Sequence, residues 1–247
     1  MTFIGFCRAT AIASTLFGSA CVRAGPADYV QVPYIDEGHW QVSMAAGRTL
    51  ARDGSGESAL VPSIGFSPTS FWFTSFYGEW SRPSGETTRL EAWSSVNQFK
   101  LFAANPNLPL DLHFLVEIER PKDYSEGWRF TFGPMVQFDA APWQANINLL
   151  VSKSVHSTDD EPATLGYQWQ AKTLWRSGLE VGLQGIGSIG SLRAHVDGDL
   201  WHTAGPAVFS HWSVGSGSTL RLDAALLVGL GDNSPSGTLR VQARLDF

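Results

Sequence analysis

Apolar and polar residues alternate along most of this chain in stretches about as long as a membrane-crossing strand, ~9–11 residues. Clusters of Gly, Pro, Asn, Asp and Ser separate them. The last stretch, Thr238–Phe247, puts Leu239, Val241, Ala243, Leu245 and Phe247 on one face and Arg240, Gln242, Arg244 and Asp246 on the other. The same alternation sets Leu110, Leu112, Phe114, Val116 and Ile118 against Asp111, His113, Glu117 and Glu119. Trp143–Ser152, Leu165–Lys172 and Leu220–Val228 repeat it, and helical periodicity is nearly absent. The pattern predicts twelve strands, near 38–48, 58–66, 70–81, 88–102, 110–119, 128–139, 143–155, 164–176, 178–192, 201–213, 219–230 and 238–247. Phe71–Trp80 is apolar on both faces, and Arg89–Phe102 shifts phase, as a β-bulge would make it.

The connections sort into two kinds. Thr49–Glu57, Arg82–Thr87, Arg120–Gly127, His156–Ala163, Arg193–Leu200 and Gly231–Gly237 are charged. Those between them, Ser67–Thr69, Ala103–Pro109, Ala140–Pro142, Ser177 and Val214–Ser218, are nearly uncharged and mostly shorter. Long polar loops on one side and short turns on the other are expected of a transmembrane β-barrel. An even strand count returns the C-terminus to the short-turn, periplasmic side. Trp40, Trp72, Trp80, Trp128, Trp143, Trp175, Trp201 and Trp212 fall near strand ends, as aromatic girdles would, whereas Trp93 and Trp169 do not. Arg240 and Arg244 on the lipid side would cost roughly 2–4 kcal/mol each near the midplane, so the polar face is the lumen.

Composition narrows the class further. Of 247 residues only 16% are charged, against roughly 25% in an ordinary soluble domain. A hydrophobic share of 43% excludes a disordered chain. No uncharged apolar run reaches the ~20 residues of a membrane helix. A net charge of −6 excludes nucleic acid as a partner bound through bulk charge.

The first 24 residues read as a secretory signal peptide: Arg8, an uncharged stretch Ala9–Val22, then small residues at the −3 and −1 positions of a cut after Ala24. A buried N-terminal helix or strand, or a lipoprotein box ending at Cys21, are the alternatives. Cleavage between Ala24 and Gly25 removes both cysteines, Cys7 and Cys21, so no disulfide framework remains. The expected organisation is a signal peptide over 1–24, a periplasmic N-terminal segment over 25–37 and a barrel over 38–247.

The ending at Phe247, with apolar residues at alternate positions before it, resembles the C-terminal assembly signal of Gram-negative outer-membrane proteins. Val116–Asp123, Leu165–Gln170, Ala204–Phe209 and Gly229–Pro235 are similar to stretches in a family of proteobacterial outer-membrane barrels of uncharacterised activity. The resemblance covers 38–247, with a looser similarity to outer-membrane transporters linked to aromatic-compound degradation. It implies the cell outer membrane of a Gram-negative bacterium as location, lipid and the barrel-assembly machinery as partners, and no catalytic residues or cofactor. Oligomeric state stays open.

Catalytic and metal motifs are few and incomplete. Gly185-Ile186-Gly187-Ser188-Ile189-Gly190 matches a dinucleotide fingerprint, but a turn-like stretch follows where a helix is required; glycines making room in a strand fit better. His211-Trp212-Ser213 has the His–Ser spacing of outer-membrane phospholipases but lacks the Asn-Gly that follows their serine. The six histidines show no metal spacing, and Asp159-Asp160-Glu161 or Asp197 with Asp199 read as solvated loops rather than Ca²⁺ sites. What remains is the inward face: Asp111, His113, Glu117, Glu119, Arg129, Gln168, Gln170, Lys172, Arg221, Asp223, Arg240 and Arg244, with Gln137, Gln144, Asn146, Asn148, Glu180, Gln184 and Asp246. Both signs with many amides suit a narrow polar passage or a lumen shut by internal ion pairs. The leading expectation is a passive channel or transport component for small polar solutes. A closed structural or partner-binding barrel comes second, and a lipid-modifying barrel enzyme third.

Overall fold

The computed structural model describes residues 25–105, 107–159, 161–193 and 200–247. The expected leader and Asp160, Asp197 and Asp199 lie outside them.

Twelve strands follow one another: β1 Trp40–Leu50, β2 Gly56–Thr69, β3 Trp72–Pro83, β4 Arg89–Phe102, β5 Leu110–Pro121, β6 Trp128–Ala140, β7 Trp143–Val155, β8 Thr164–Arg176, β9 Leu179–Ser191, β10 Trp201–Val214, β11 Ser218–Gly229 and β12 Gly237–Asp246. Each pairs antiparallel with its sequence neighbours, and β12 pairs with β1 to close the barrel. Phe247 donates its N–H to the Trp40 carbonyl at 2.9 Å and its carbonyl accepts from the Trp40 N–H at 2.7 Å, so the C-terminal residue finishes the seam. The phase shift in β4 is a pair of irregularities, one facing Glu79/Trp80 and one at Lys100/Phe102.

The alternation separates an apolar exterior from a polar interior. Leu226 is 55% exposed while its neighbour Leu227 is 1%; Leu239 is 55% exposed while Arg240 is 5%. An exposed row of Leu, Val and Phe with buried Arg and Gln behind it inverts the order of a soluble protein, and lipid is the solvent that stabilises it. The girdles differ from expectation at one tryptophan. Trp201 is 6% exposed and packs inward on Val30 and Ile186. Trp93 instead stands on the outside, stacked on Phe76 at 5.5 Å and edge-on to Trp80 at 5.6 Å.

Two mid-strand Gly-Pro pairs interrupt the ladder in the same way. β6 pairs with β7 on either side of Gly133-Pro134 but not across them, and β10 with β11 on either side of Gly205-Pro206. A Cβ on Gly133 would lie 1.9 Å from the Leu149 carbonyl oxygen, and one on Gly205 2.0 Å from that of Leu226. Proline withdraws the donor and glycine gives the neighbouring carbonyl room, so the wall bends at these points without a side-chain clash.

The largest departure from the sequence reading concerns residues 25–37. Instead of a segment outside the barrel in the periplasm, the chain from Gly25 to Tyr34 runs inside the lumen. Its outer end meets the wall where β1 approaches its long loop: a Cβ on Gly47 would lie 1.8 Å from the Pro26 carbonyl oxygen. Further along, the Gln31 N–H donates to Gln168 Oε1 at 2.9 Å, and its carbonyl accepts from Asn148 Nδ2 at 2.7 Å. Tyr34 donates its N–H to Gln98 Oε1 at 3.3 Å and meets Phe73 edge-on at 6.0 Å. Asp36 then donates to Ser67 Oγ at the short-turn end, where the chain reverses into β1. The physical reason is that the polar inner wall offers amide partners to an extended backbone that, beyond its first turn, pairs with no strand.

Candidate functional site: the lumen and its inserted segment

Strict alternation puts every lumen residue expected from the sequence on the inner face. On β5, Asp111, His113, Glu117 and Glu119 share that face with buried Leu115; Arg129 lies opposite Glu119 on β6. Gln168, Gln170 and Lys172 come from β8, Arg221 and Asp223 from β11, and Arg240 and Arg244 from β12. They do not form one cluster, but divide into three levels.

The outer level is acidic. Glu117 accepts from the Tyr77 hydroxyl, and Glu119 pairs with Arg129 at 2.6 Å. Glu79 of β3 and Asp28 of the inserted segment complete it. At the short-turn end the balance turns basic. Lys172 pairs with Glu180 at 2.7 Å and Arg221 with Asp246 at 3.0 Å, while Arg244 has Tyr34's ring 6.0 Å away and a buried Nε without a partner. Asp111 is held apart from both levels, accepting from the Ala104 N–H at 2.7 Å, and so fixes the turn after β4. His113 is fully buried beneath the wall surface.

Between the charged levels lies a belt of amides whose direction is set by its two ends. Arg240 donates to Gln184 Oε1; Gln184 donates to Gln170 at 3.0 Å, Gln170 to Asn146 at 3.0 Å, Asn146 to Gln137 at 2.9 Å, and Gln137 to Asp139 at 2.7 Å. A guanidinium can only donate and a carboxylate can only accept, so every amide between them is oriented the same way. β12 and β9 are not neighbours in the barrel, so Arg240 reaches across the lumen to join them, and its other Nη donates to the Asp28 carbonyl of the inserted segment.

A cavity of about 480 Å³ opens on the basic side and one of about 430 Å³ on the acidic side; Ala27 and Tyr29 line both. A third, of about 600 Å³, lies under the outer loops beside Gly25 and Arg52. The inserted residues thus stand between the two ends of the lumen.

The glycine-rich stretch of β9 and the His–Ser pair of β10 are both parts of the wall. Gly185 and Gly187 leave room for the rings of Trp169 and Tyr167, which a Cβ would meet at 2.3 and 2.7 Å. His211 and Ser213 line the short-turn cavity rather than the lipid surface. The inserted residues Asp28, Tyr29, Gln31 and Tyr34 were missed by sequence reasoning, as were Tyr77, Glu79 and Gln98. The last three were legible only once the register of the strands around them was known.

No protein-family model matches this chain, and no curated protein matches it. Solved structures do. An outer-membrane channel from Pseudomonas putida F1 superposes with a TM-score of 0.61 at 12% identity, over 91% of this chain and 99% of that one. A KdgM porin solved in complex with disordered oligogalacturonate gives 0.51 at 7% identity, over 84% and 98%. The translocator domain of the autotransporter NalP from Neisseria meningitidis gives 0.53 at 11%, over 87% and 90%. The chain has the architecture of bacterial outer-membrane barrels. Since one such architecture holds a channel, a porin and a translocator, the lumen has to carry the functional argument.

Proposed function

We propose that this protein is a narrow passive channel of the outer membrane for small polar solutes, with Gly25–Tyr34 setting its constriction. The observation that carries the reading is the pair of polar cavities that meet at Ala27 and Tyr29, separated by a single strand of chain rather than by a packed core. Mixed charge and uncharged amides favour small polar solutes over a single charge type, because a low-dielectric passage focuses the field of whatever lines it. Structural likeness to outer-membrane channels supports the reading at the level of architecture.

The belt from Arg240 to Asp139 favours a second reading, a barrel shut by its internal hydrogen bonds, because Arg240 reaches across the lumen to join it. Planar-bilayer recordings on the refolded protein and on a variant lacking residues 26–36 separate the two. A channel gives small conductance steps in the wild type and larger ones in the deletion variant. Conductance only after deletion identifies a closed barrel, and none in either refutes the channel.

A further inference from the structure

The end of the inserted segment nearest the outer loops has a geometry that its sequence explains. Gly25-Pro26-Ala27-Asp28 forms a turn, with Pro26 in the second position where its fixed φ is favourable. The Asp28 N–H donates to the Gly25 carbonyl at 3.1 Å, and the Asp28 carboxylate reaches back to accept from Gly25 N at 2.9 Å. Gly25 also stands against Glu79: a Cβ there would lie 2.9 Å from Glu79 Oε1, so a larger residue would push that carboxylate away. The Asp28 carboxylate therefore bonds the Gly25 nitrogen, and the Glu79 carboxylate lies close beside the Gly25 Cα.

A peptide N–H can serve only one of them. Glu79 is otherwise poorly matched, since its cavity also holds the carboxylates of Asp28, Glu57, Glu91, Glu117 and Glu119 against the guanidiniums of Arg89, paired with Glu91, and Arg129. Among the described residues no cation lies within ion-pair distance of it. Arg129 is engaged by Glu119, and Arg240 meets Asp28 through the backbone carbonyl.

We propose that the lumen is a binding site for the chain's own processed amino terminus: cleavage after Ala24 turns Gly25 N into an α-ammonium, which pairs with Asp28 and Glu79 and pins the inserted segment. An ammonium carries three donors and a full charge, so it satisfies both carboxylates where an amide cannot. Processing then does more than remove a leader, because it adds a cation to an outer level whose carboxylates outnumber its guanidiniums. The Pro26 turn aims that cation, and Gly25 lets Glu79 reach it.

The test uses full-length protein expressed with its own leader and extracted folded from outer membranes. Intact mass gives the first residue, and amine-labelling rates at the N-terminal peptide, measured against pH, give the midpoint for the α-amine. The expected start is Gly25. The expected midpoint lies above the ~7.7–8.0 of a free α-amine, and in the D28N/E79Q variant at or below it. The sign decides, because burial alone lowers an amine's midpoint and nearby carboxylates raise it. A start at another residue overturns the proposal, as does a wild-type midpoint at or below that of the urea-unfolded chain; the latter comparison holds even if the double variant fails to fold. The labelling does not depend on conductance, so failure of the channel reading leaves its outcome unaffected.

Discussion

Arg240→Met should release the inserted segment while leaving the barrel wall closed. Methionine keeps most of the apolar stem but removes two charge-assisted hydrogen bonds, one to the Asp28 carbonyl and one to Gln184. Bonds to a charged donor contribute about 1.5–3 kcal/mol each, giving an upper bound of about 3–6 kcal/mol for the pair. Arg240 borders both the 480 Å³ and the 600 Å³ cavities, so water can reach the freed acceptors and recover much of that. A net loss of about 1–3 kcal/mol is expected, measured as a lowered urea midpoint for barrel refolded into lipid vesicles. The local consequence is read separately. Both native cysteines, Cys7 and Cys21, precede Gly25, so in a chain that starts at Gly25 Val32→Cys supplies a single thiol, and its maleimide labelling should accelerate in the R240M background. Unchanged stability together with unchanged labelling would refute the view that Arg240 holds the segment.

Three further outcomes check the wall, the charge and the seam. Val241→Arg, midway along β12 on the lipid face, should cost roughly 2–4 kcal/mol in vesicle-based unfolding, and Leu226→Arg, nearer the outer end of β11, should cost less; the reverse order would mean that the barrel's depth is misassigned. Neutralising Glu117 and Glu119 to Gln should move reversal potentials under a salt gradient towards anion preference, since it also frees Arg129, while Asp159→Asn in an outer loop should move them less because exposed charge is screened within about 8 Å. Deleting Phe247 removes both hydrogen bonds to Trp40 and should lower the yield of heat-modifiable, membrane-inserted barrel; wild-type yield would show the seam does not need it.

The strands were legible because period-two alternation reports directly on two solvents, lipid outside and a polar lumen inside. It fails where a position faces the lumen yet touches no water. Leu227 is such a position: alternation alone makes Arg there milder than at Leu226, but Leu227 packs on Ala207, Phe209 and Ala225. Arg at that site would overfill a packed cluster at a cost of typically 1–3 kcal/mol. The tryptophans teach the same lesson, since closeness to a strand end assigned Trp201 to a girdle when its parity turns it inward to Val30. Glu79 stayed hidden because Phe71–Trp80 is apolar on both faces, and the inward set of Phe73, Ser75, Tyr77 and Glu79 emerges only from the pairing of β3 with β4.

Residues 25–37 have no periodicity, so nothing in their own pattern could have placed them. The signal lies instead on the wall. The inward face of β1 reads Gln41, Ser43, Ala45, Gly47 and Thr49, and Ala59 and Val61 of β2 lie beside Ala45 and Gly47. Ala45, Gly47 and Ala59 are too small to fill a lumen and too apolar to line it for water. Ala27 occupies the trough they form, in contact with Ala45, Ala59 and Val61, while the Pro26 carbonyl stands over Gly47. Opposite the trough, where the wall is amide-rich, the segment makes its hydrogen bonds through Gln31 to Asn148 and Gln168. A groove of small residues on one side and amides on the other is what an extended backbone needs: close approach on one flank and donors and acceptors on the other. Enlarging Ala45 to Leu should therefore displace the segment without touching a single charge, and the Val32→Cys labelling rate would report it.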